Sequence, residues 1–236
     1  MGGFVAVFRK ELRTYFATPI AYALMAVFWA MSGYFFSFNV FFVSVAHMVT
    51  SFHNMSLLLL LILPLLTMRL FAEENSAGTI ELLLTLPLNE VQIVLGKFAA
   101  ALVVLLLMLL GSTVAVAVLL LYAQPDLGPI IGGYAGVFLL GTAFLAIGMF
   151  VSSLSSNQIV AALVGWAVLV LLWFIDYVAT FQAGYVLTRT VRHVSFSVHY
   201  LDLIRGVINT GSLAYFIGLV VAMVVCTIQA LRARRT

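Results

Sequence analysis

Acidic side chains are concentrated in one stretch of an otherwise apolar chain. Four of the eight aspartate and glutamate residues fall within residues 69–97, namely Glu73, Glu74, Glu81 and Glu90. Carboxylates in a loop are most often simply solvated, but Glu81 stands among leucines, where it could meet a basic partner. Glu73 and Glu74 could equally pair with Arg69 of the same chain or with arginines near the N-terminus.

The middle of this stretch has the pattern of a short apolar helix. We predict a helix over residues 80–86 that follows a hinge at Gly78 and stops at Pro87. One face of that helix carries Ile80, Leu83 and Leu84. Because uncovered apolar patches are uncommon on proteins, such a face normally has a partner. We therefore expect the helix to fill a groove on another protein.

The composition of the chain is that of a membrane protein. Hydrophobic residues make up 64% of the sequence and charged residues 8%, with a mean hydropathy of +1.20. Soluble domains carry roughly a quarter charged residues. The net charge of +3 does not indicate nucleic acid, because the basic residues cluster near the ends of apolar segments. The single Cys226 excludes an intrachain disulfide.

Apolar segments long enough to cross a bilayer alternate with short polar turns. We predict six spans, at about residues 19–43, 53–70, 89–122, 130–151, 159–181 and 212–231. Asn89 and Gln92 have the spacing of a capping box at the start of the third span. Pro64 should kink the second span, and Gly132 and Gly136 allow close helix contact in the fourth. The fold class is an all-α polytopic membrane protein, with residues 1–236 as one domain.

A separate element precedes the first span. Phe4, Phe8, Leu12 and Phe16 recur every four residues, which predicts an amphipathic helix over residues 4–16 in the headgroup layer. The alternative is the charged start of a signal peptide, but the apolar stretch that follows is too long. Thr18 and Pro19 then supply an N-cap and a first-turn proline for the first span.

Residues 182–211 interrupt the pattern of spans. They contain Arg189, Arg192 and Arg205, and no stretch among them could cross a bilayer. Just before them, Asp176 lies near the outer end of the fifth span beside Trp173 and Tyr177, which have the pattern of an aromatic belt. A carboxylate there is a candidate for a transport role, although it could also pair with Arg189 or Arg192.

Lysine and arginine counts set the orientation. With both termini in the cytoplasm, eight basic residues lie inside, namely Arg9, Lys10, Arg13, Arg69, Lys97, Arg232, Arg234 and Arg235. Only Arg189, Arg192 and Arg205 then lie outside. The positive-inside rule therefore places residues 69–97 in the cytoplasm.

Several kinds of chemistry have no motif in the sequence. It lacks a G-x-x-x-x-G-K-S/T phosphate loop, so any ATP-driven work needs a second polypeptide. Neither H-E-x-x-H nor G-x-S-x-G occurs. A cluster of His47, Met48, His53 and Met55 could hold copper, but packing is the more common role of such residues at a membrane interface. We predict neither a metal site nor a bound cofactor in this chain.

The stretch FAEENSAGTIELLLTLPLNEVQIVLGKF resembles the cytoplasmic coupling-helix segment of ABC-2 type transporter permeases. The pattern is a Glu pair, then Gly-Thr-x-Glu, a leucine run closed by Pro, and Leu-Gly-Lys at the next helix. Three further stretches support it: KELRTYFATPIAY, SSLSSNQIVA and HYLDLIRGVINTGSLAYF. The resemblance is nearest to gliding-motility-associated permeases and more distant to nitrous-oxide-reductase maturation permeases.

The resemblance implies a type V exporter-like architecture with an interfacial helix at 4–16, a coupling-helix loop at 73–88 and short external helices at 182–211. The residues it implies for ATPase docking are Glu73, Glu74, Gly78, Thr79, Ile80, Glu81, Leu83, Leu84 and Pro87, with Asp176 and Arg205 at an outer gate. The implied partners are an ATPase subunit holding ATP and magnesium, a second permease chain, membrane lipids and an external accessory protein. The implied location is a bacterial inner membrane.

Three functions fit this sequence. The first is the membrane subunit of an ABC exporter. The second is a mechanotransmitting subunit that drives an external partner without transport. The third is a membrane enzyme acting on lipid, with Asp176 or the histidines as acid or base. The sequence itself does not identify a substrate.

Overall fold

A computed structural model describes residues 2–42, 48–79, 88–122, 126–182, 195–204 and 209–235. Within these ranges the chain forms helices and no strands. They are α1 (Gly2–Ala17), α2 (Pro19–Phe42), α3 (Met48–Thr67), α4 (Ala72–Ser76), α5 (Glu90–Tyr122), α6 (Leu127–Leu154), α7 (Gln158–Gln182), α8 (Phe196–Ile204) and α9 (Thr210–Arg235).

Six of the helices in these ranges are long and apolar enough to cross a membrane, which confirms the predicted all-α polytopic fold. They correspond one for one to the six predicted spans. Helices α3 and α6 are central, because 72% of the residues in the most apolar stretch of each helix are buried. In the other four the buried share is between 22% and 33%, so these surround the central pair and expose one face.

The second span begins earlier than predicted. A polar turn was expected up to His53, but α3 starts at Met48. Met48, Phe52 and Met55 are all buried, and their spacing of four and three residues continues the apolar face of the helix. Ser56 sits on the same helix without cost because its hydroxyl donates to the Phe52 carbonyl at 2.9 Å. His47 lies outside the described residues.

Thr18 acts on the helix before it rather than on the one after it. The N-cap prediction was wrong, because the Thr18 hydroxyl is directed at the carbonyls of Thr14 (3.2 Å) and Tyr15 (3.3 Å). The last carbonyls of a helix lack partners within it, so a nearby hydroxyl can satisfy them. Pro19 does occupy the first position of α2, as predicted.

Trp173 is not part of an aromatic belt. Its side chain is 2% exposed, and its ring lies 5.9 Å from that of Tyr200 and 6.3 Å from that of Phe144. The reason is α8, which covers this end of the bundle and carries Tyr200. The Tyr200 hydroxyl donates to the Phe52 carbonyl at 2.8 Å, so α8 is fixed to the start of α3.

The structure shows what packs near Gly136 and Pro64, the two residues predicted to affect helix packing and helix shape. Gly136 lets α8 approach α6 closely, since a Cβ at this position would come within 2.8 Å of the Leu203 Cβ. Pro64 lies inside α3, where it cannot donate to the preceding turn. In that turn the Leu61 carbonyl accepts a hydrogen bond from the Trp166 indole of α7 at 2.7 Å. A neighbouring helix thus supports the backbone near the proline.

Candidate functional site

Lys97 is the centre of a buried ionic cluster at one end of the bundle. Its side chain is 1% exposed, and its ammonium lies 2.9 Å from Glu11 Oε1 and 3.0 Å from Glu74 Oε2. The ring of Phe71 lies 5.2 Å from the same ammonium, in the geometry of a cation–π contact. A buried ammonium is tolerated only when it is paired. Lys97 therefore ties α1, α4 and α5 to one point.

Lys10 completes a four-membered arrangement that we call the ion ring (Lys10, Glu11, Glu74 and Lys97). Its ammonium lies 2.9 Å from Glu74 Oε1 and 3.3 Å from Glu11 Oε1, so positive and negative charges alternate around the ring. Burial lowers the pKa of Lys10, but the hydrogen bond to Glu74 and the charges of Glu74 and Glu11 more than offset this. Its pKa therefore lies above the usual 10.5. The ring carries no net charge.

Small residues bring α1 against the start of α5. Val7, Glu11 and Tyr15 form the buried stripe of α1, at intervals of four residues. A Cβ at Gly96 would come within 2.9 Å of the Val7 side chain, so glycine is required for this approach. The close packing places Glu11 within reach of Lys97, one residue after Gly96.

Ser152 of α6 fixes the segment that leads into the 73–88 loop. We call this segment, residues 68–75, the root of the loop. The Ser152 hydroxyl accepts hydrogen bonds from the backbone N–H groups of Phe71 and Ala72, each at 3.1 Å, and donates to the Met68 carbonyl at 3.1 Å. The Asn75 amide donates to the Ser155 carbonyl at 2.7 Å. The chain that leaves α3 is therefore fixed to the end of α6 before it reaches the loop.

The other end of the loop is fixed by the predicted capping box. The Gln92 side chain accepts from the Asn89 N–H at 3.4 Å, and the Asn89 side chain accepts from the Val91 N–H at 3.4 Å. Gly78 has a positive φ of 68°, and a Cβ there would meet no atom within 4 Å. Since glycine adopts this conformation without strain, Gly78 is suited to the hinge role predicted for it.

A second polar group lies beside the ion ring. Arg69 Nε is 3.3 Å from Glu73 Oε2, which is the intrachain pairing considered from the sequence. The Tyr15 hydroxyl nearby is buried and has no hydrogen-bond partner among the described residues. Burial and the charge of Glu11 raise the pKa of Tyr15, as does Glu73, while Arg69 lowers it. These residues line a notch of about 30 Å³, large enough for a water molecule.

The structure describes only some of the residues predicted to dock an ATPase. Glu74 is held inside the ion ring, so its carboxylate is already engaged within this chain. Glu73 is 46% exposed beside Arg69, and the Thr79 hydroxyl donates to the Glu74 carbonyl at 3.3 Å. Ile80, Glu81, Leu83, Leu84 and Pro87 lie outside the described residues.

The predicted outer-gate residues are only partly described. Asp176 belongs to α7, but its side chain is outside the described part of the structure. Arg189, Arg192 and Arg205 lie in ranges that are not described. A pairing of Asp176 with an arginine therefore stays a prediction.

Glu11 and Lys97 were not identified as site residues from the sequence. Glu11 aligns with Val7 and Tyr15 on one face of α1, and that spacing could have marked it as a carboxylate on a protein-facing stripe. Lys97 is the one lysine in a 33-residue helix that is otherwise nearly all apolar after its first turn. Each signal is visible alone, but their pairing depends on contacts that no local pattern encodes.

The ion ring and the groups around it act on the relative positions of helices. Among the described residues, no three His, Cys, Asp or Glu side chains gather closely enough to hold a metal ion. Met48 and Met55 of the copper hypothesis are buried in the apolar core, and the His53 ring packs against Trp173 at 5.8 Å. What the ion ring provides is a stiff polar joint between three helices.

Known proteins are similar to this chain over most of its length. The family described as "ABC-2 family transporter protein" matches residues 13–233. A relative from Pseudomonas aeruginosa, named "Probable ABC transporter permease protein NosY", is 34% identical over 167 residues. That similarity covers 65% of this chain and 61% of the relative, so it spans less than two thirds of the relative's length.

Proposed function

Since the chain belongs to the ABC-2 family of transporter proteins, we propose that it is the membrane-spanning subunit of an ATP-driven exporter. A separate ATPase subunit would hold ATP and magnesium, because this sequence has no phosphate loop. A second permease chain, identical or related, would complete the path. Both termini and the 73–88 loop would face the cytoplasm of a bacterial inner membrane.

The observation that carries this proposal is the ion ring at the root of the 73–88 loop. Through Lys97 and Glu74 the loop is joined to α5, and through Glu11 and Lys10 it is joined to α1. Ser152 joins the same root to the central helix α6. A force that reaches the root of the loop at Glu74 would thus be passed on to α1, α5 and α6.

The gathering of charges at one end also supports the orientation. Glu90 at the start of α5 lies 3.9 Å from Arg232 near the end of α9. The ion ring and the pair of Arg69 with Glu73 join the middle of α1 to the end of α3, to α4 and to the first turns of α5. Basic residues distant in sequence therefore share one end of the bundle, which is the arrangement that the positive-inside rule requires.

ATP binding by the partner would act on this joint by shifting a population. If the bundle has two arrangements, a partner that grips the 73–88 loop better in one of them favours that one. Gly78 would absorb the change in backbone direction between the rigid root and the docked part of the loop. The spans attached to the root would then alter the path between the two permease chains.

The structure supports an apolar substrate for such a path. A cavity of about 1000 Å³ lies between α2 and α5 and is lined mainly by apolar side chains, among them Phe36, Val118 and Leu119. Two of its three serine hydroxyls are already used, since Ser32 donates to the Trp29 carbonyl and Ser112 to the Leu109 carbonyl. Few hydrogen bonds remain for a polar solute, which favours a lipid-like one.

Mechanotransmission to an external partner is a second candidate, and α3 is the observation that favours it. At one end of α3, the Phe52 carbonyl and Ser56 bind Tyr200 of α8. At the other end, the chain continues directly into Phe71 and the ion ring. Because α3 is buried and connects the ion ring to α8, a movement of α3 could displace α8 on the external side without moving a substrate.

The experiment that tests the ATPase partnership is Leu83→Asp. If the leucine face docks into an apolar groove, an unpaired charge there is strongly disfavoured, and the ATPase should no longer co-purify. The chain itself should still reach the membrane at normal levels. Ala77→Asp is the matched control, because Ala77 is exposed in the same loop and should retain the ATPase.

The outcome against the proposal is full ATPase association and activity in Leu83→Asp. The leucine face would then pack on this chain's own helices. Transport of lipid-like compounds by the reconstituted complex would separate the exporter from the mechanotransmitter, since only the exporter moves a compound across vesicles.

A further inference from the structure

Helix α1 presents three different faces along its length. The buried stripe of Val7, Glu11 and Tyr15 packs into the protein. A second stripe, which we call the phenylalanine stripe, is half-buried and consists of Phe4, Phe8, Leu12 and Phe16. With 3.6 residues per turn, Arg9 and Arg13 fall beyond this stripe, on the side away from the buried one. Around the helix, the face that packs on the protein is therefore followed by the phenylalanine stripe and then by the face that carries the two arginines.

The phenylalanine stripe continues onto the lipid-facing surface of the first span. The ring of Phe16 lies 5.9 Å from the ring of Tyr22, in an edge-to-face arrangement. Tyr22 belongs to the first turns of α2 and is 52% exposed, so it faces the membrane or its boundary. Phe4 and Phe8 stack at 6.2 Å and extend the same apolar surface along α1. This surface would lie at the membrane boundary when α2 spans the bilayer.

The two arginines next to this boundary have no partner in the part of the chain that the structure describes. Arg9 and Arg13 are exposed, and neither forms an ion pair or hydrogen bond with any described residue. Lys10, between them in sequence, is instead held by Glu74 at 2.9 Å on the other side of the helix. Residues four apart on a helix have Cβ atoms about 5–6 Å apart, so the two guanidinium groups can act on one anion. A guanidinium group can donate two parallel hydrogen bonds to two oxygens of one phosphate.

We propose that Arg9 and Arg13 form a binding site for the phosphate of an anionic phospholipid, with the acyl chains against the phenylalanine stripe. Charge complementarity and continuity with the membrane-spanning surface identify a lipid as the occupant. Long basic side chains beside an apolar surface reach the headgroup layer while their aliphatic parts stay apolar. The bound lipid holds the outer face of α1, while the ion ring holds its inner face.

Phosphatidylglycerol is the probe for this site. The purified chain is placed in phosphatidylcholine nanodiscs containing increasing fractions of phosphatidylglycerol, and its unfolding temperature and the lipid retained after extraction are measured. Each basic residue near an anionic surface strengthens binding, so Arg9→Gln/Arg13→Gln should need about 30-fold more phosphatidylglycerol for the same effect. Arg9→Lys/Arg13→Lys keeps the charge but loses the paired N–H donors of the guanidinium groups. The amount of phosphatidylglycerol that it needs should lie between those of the unmodified chain and of Arg9→Gln/Arg13→Gln.

The matched control is Arg232→Gln/Arg234→Gln, which removes the same charge from α9 and should keep the response of the unmodified chain to phosphatidylglycerol. Two results would overturn the proposal. One is an unchanged lipid response in Arg9→Gln/Arg13→Gln, or an equal loss in the control. The other is equal stabilisation by inorganic phosphate, which would make a free anion the occupant instead of a lipid.

Discussion

The ammonium of Lys97 lies 2.9 Å from Glu11 Oε1, although 86 residues separate the two in the chain. Lys97 is almost fully buried, and its second carboxylate partner, Glu74, belongs to the root of the 73–88 loop. This pair makes α1 part of the same joint as the loop. An isolated interfacial helix would have no such contact.

Replacement of Lys97 should show how much of the stability depends on this joint. Lys97→Met leaves Glu11 and Glu74 with only the half-exposed Lys10 to neutralise them. Removing one partner of a buried ion pair costs about 3–5 kcal/mol. The measurement is thermal unfolding of the solubilised chain, followed by size exclusion.

Two variants control that experiment. Lys10→Met removes a cation whose side chain is 54% exposed and should cost at most about 1 kcal/mol. Lys97→Met combined with Glu11→Gln and Glu74→Gln should recover much of the loss, because no unpaired buried charge remains. A Lys97→Met chain as stable as the unmodified one would show that the ring does not hold the helices together.

The pKa of Lys10 predicts a pH dependence at the alkaline end. Because its pKa is raised in the folded chain, the stability that Lys10 contributes is fully present below the usual 10.5. It is lost as pH rises through the folded pKa. The difference in unfolding temperature between the unmodified chain and Lys10→Gln should therefore be constant at neutral pH and should shrink at alkaline pH. A difference that grows with pH would contradict this assignment.

Ser152 should control the rigidity of the loop's root. Ser152→Ala leaves the N–H groups of Phe71 and Ala72 without their shared acceptor, which costs about 1–3 kcal/mol per unsatisfied group. Hydrogen exchange of residues 71–78 should become faster. Ser153→Ala is the control, because that hydroxyl only donates to Phe150 within its own helix, and exchange there should not change. Equal exchange in the two variants would exclude this role of Ser152.

The proposed orientation can be tested by cysteine labelling in a Cys226→Ala background. Cysteines at Asp126 and Asn209 should react with an impermeant reagent from outside sealed cells, and a cysteine at Ser76 should not. All three positions are exposed, so their reactivity reports the side of the membrane. Ser197 would be a poor reporter of the same face, because its side chain is only 9% exposed. Labelling at Ser76 from outside would reverse the topology.

The helices were predictable because each span is a long run of mainly apolar residues. The capping box at Asn89 and the pairing of Glu73 with Arg69 were also within reach, since each involves residues three or four apart. The start of α3 was missed because His53 and Ser51 mask the helical spacing of Met48, Phe52 and Met55. Trp173 was misassigned because its burial depends on α8, which is distant in sequence.

The ion ring was beyond prediction for a different reason. Lys97, Glu11 and Glu74 each resemble ordinary charged residues near a membrane surface. Their burial follows from the close approach of α1 to α5 at Gly96. That approach is a property of the assembled bundle.

The order of synthesis gives the ion ring a consequence for membrane insertion. Chains emerge from the ribosome N-terminus first. Lys10, Glu11 and Glu74 all precede Lys97, so both carboxylates are available before the 33-residue helix α5 is complete. The counter-charges of the lysine that would otherwise oppose insertion have therefore been synthesised before α5 enters the membrane. A nascent chain that ends after α5 already contains every member of the ring, so no residue of the second half is needed to neutralise Lys97.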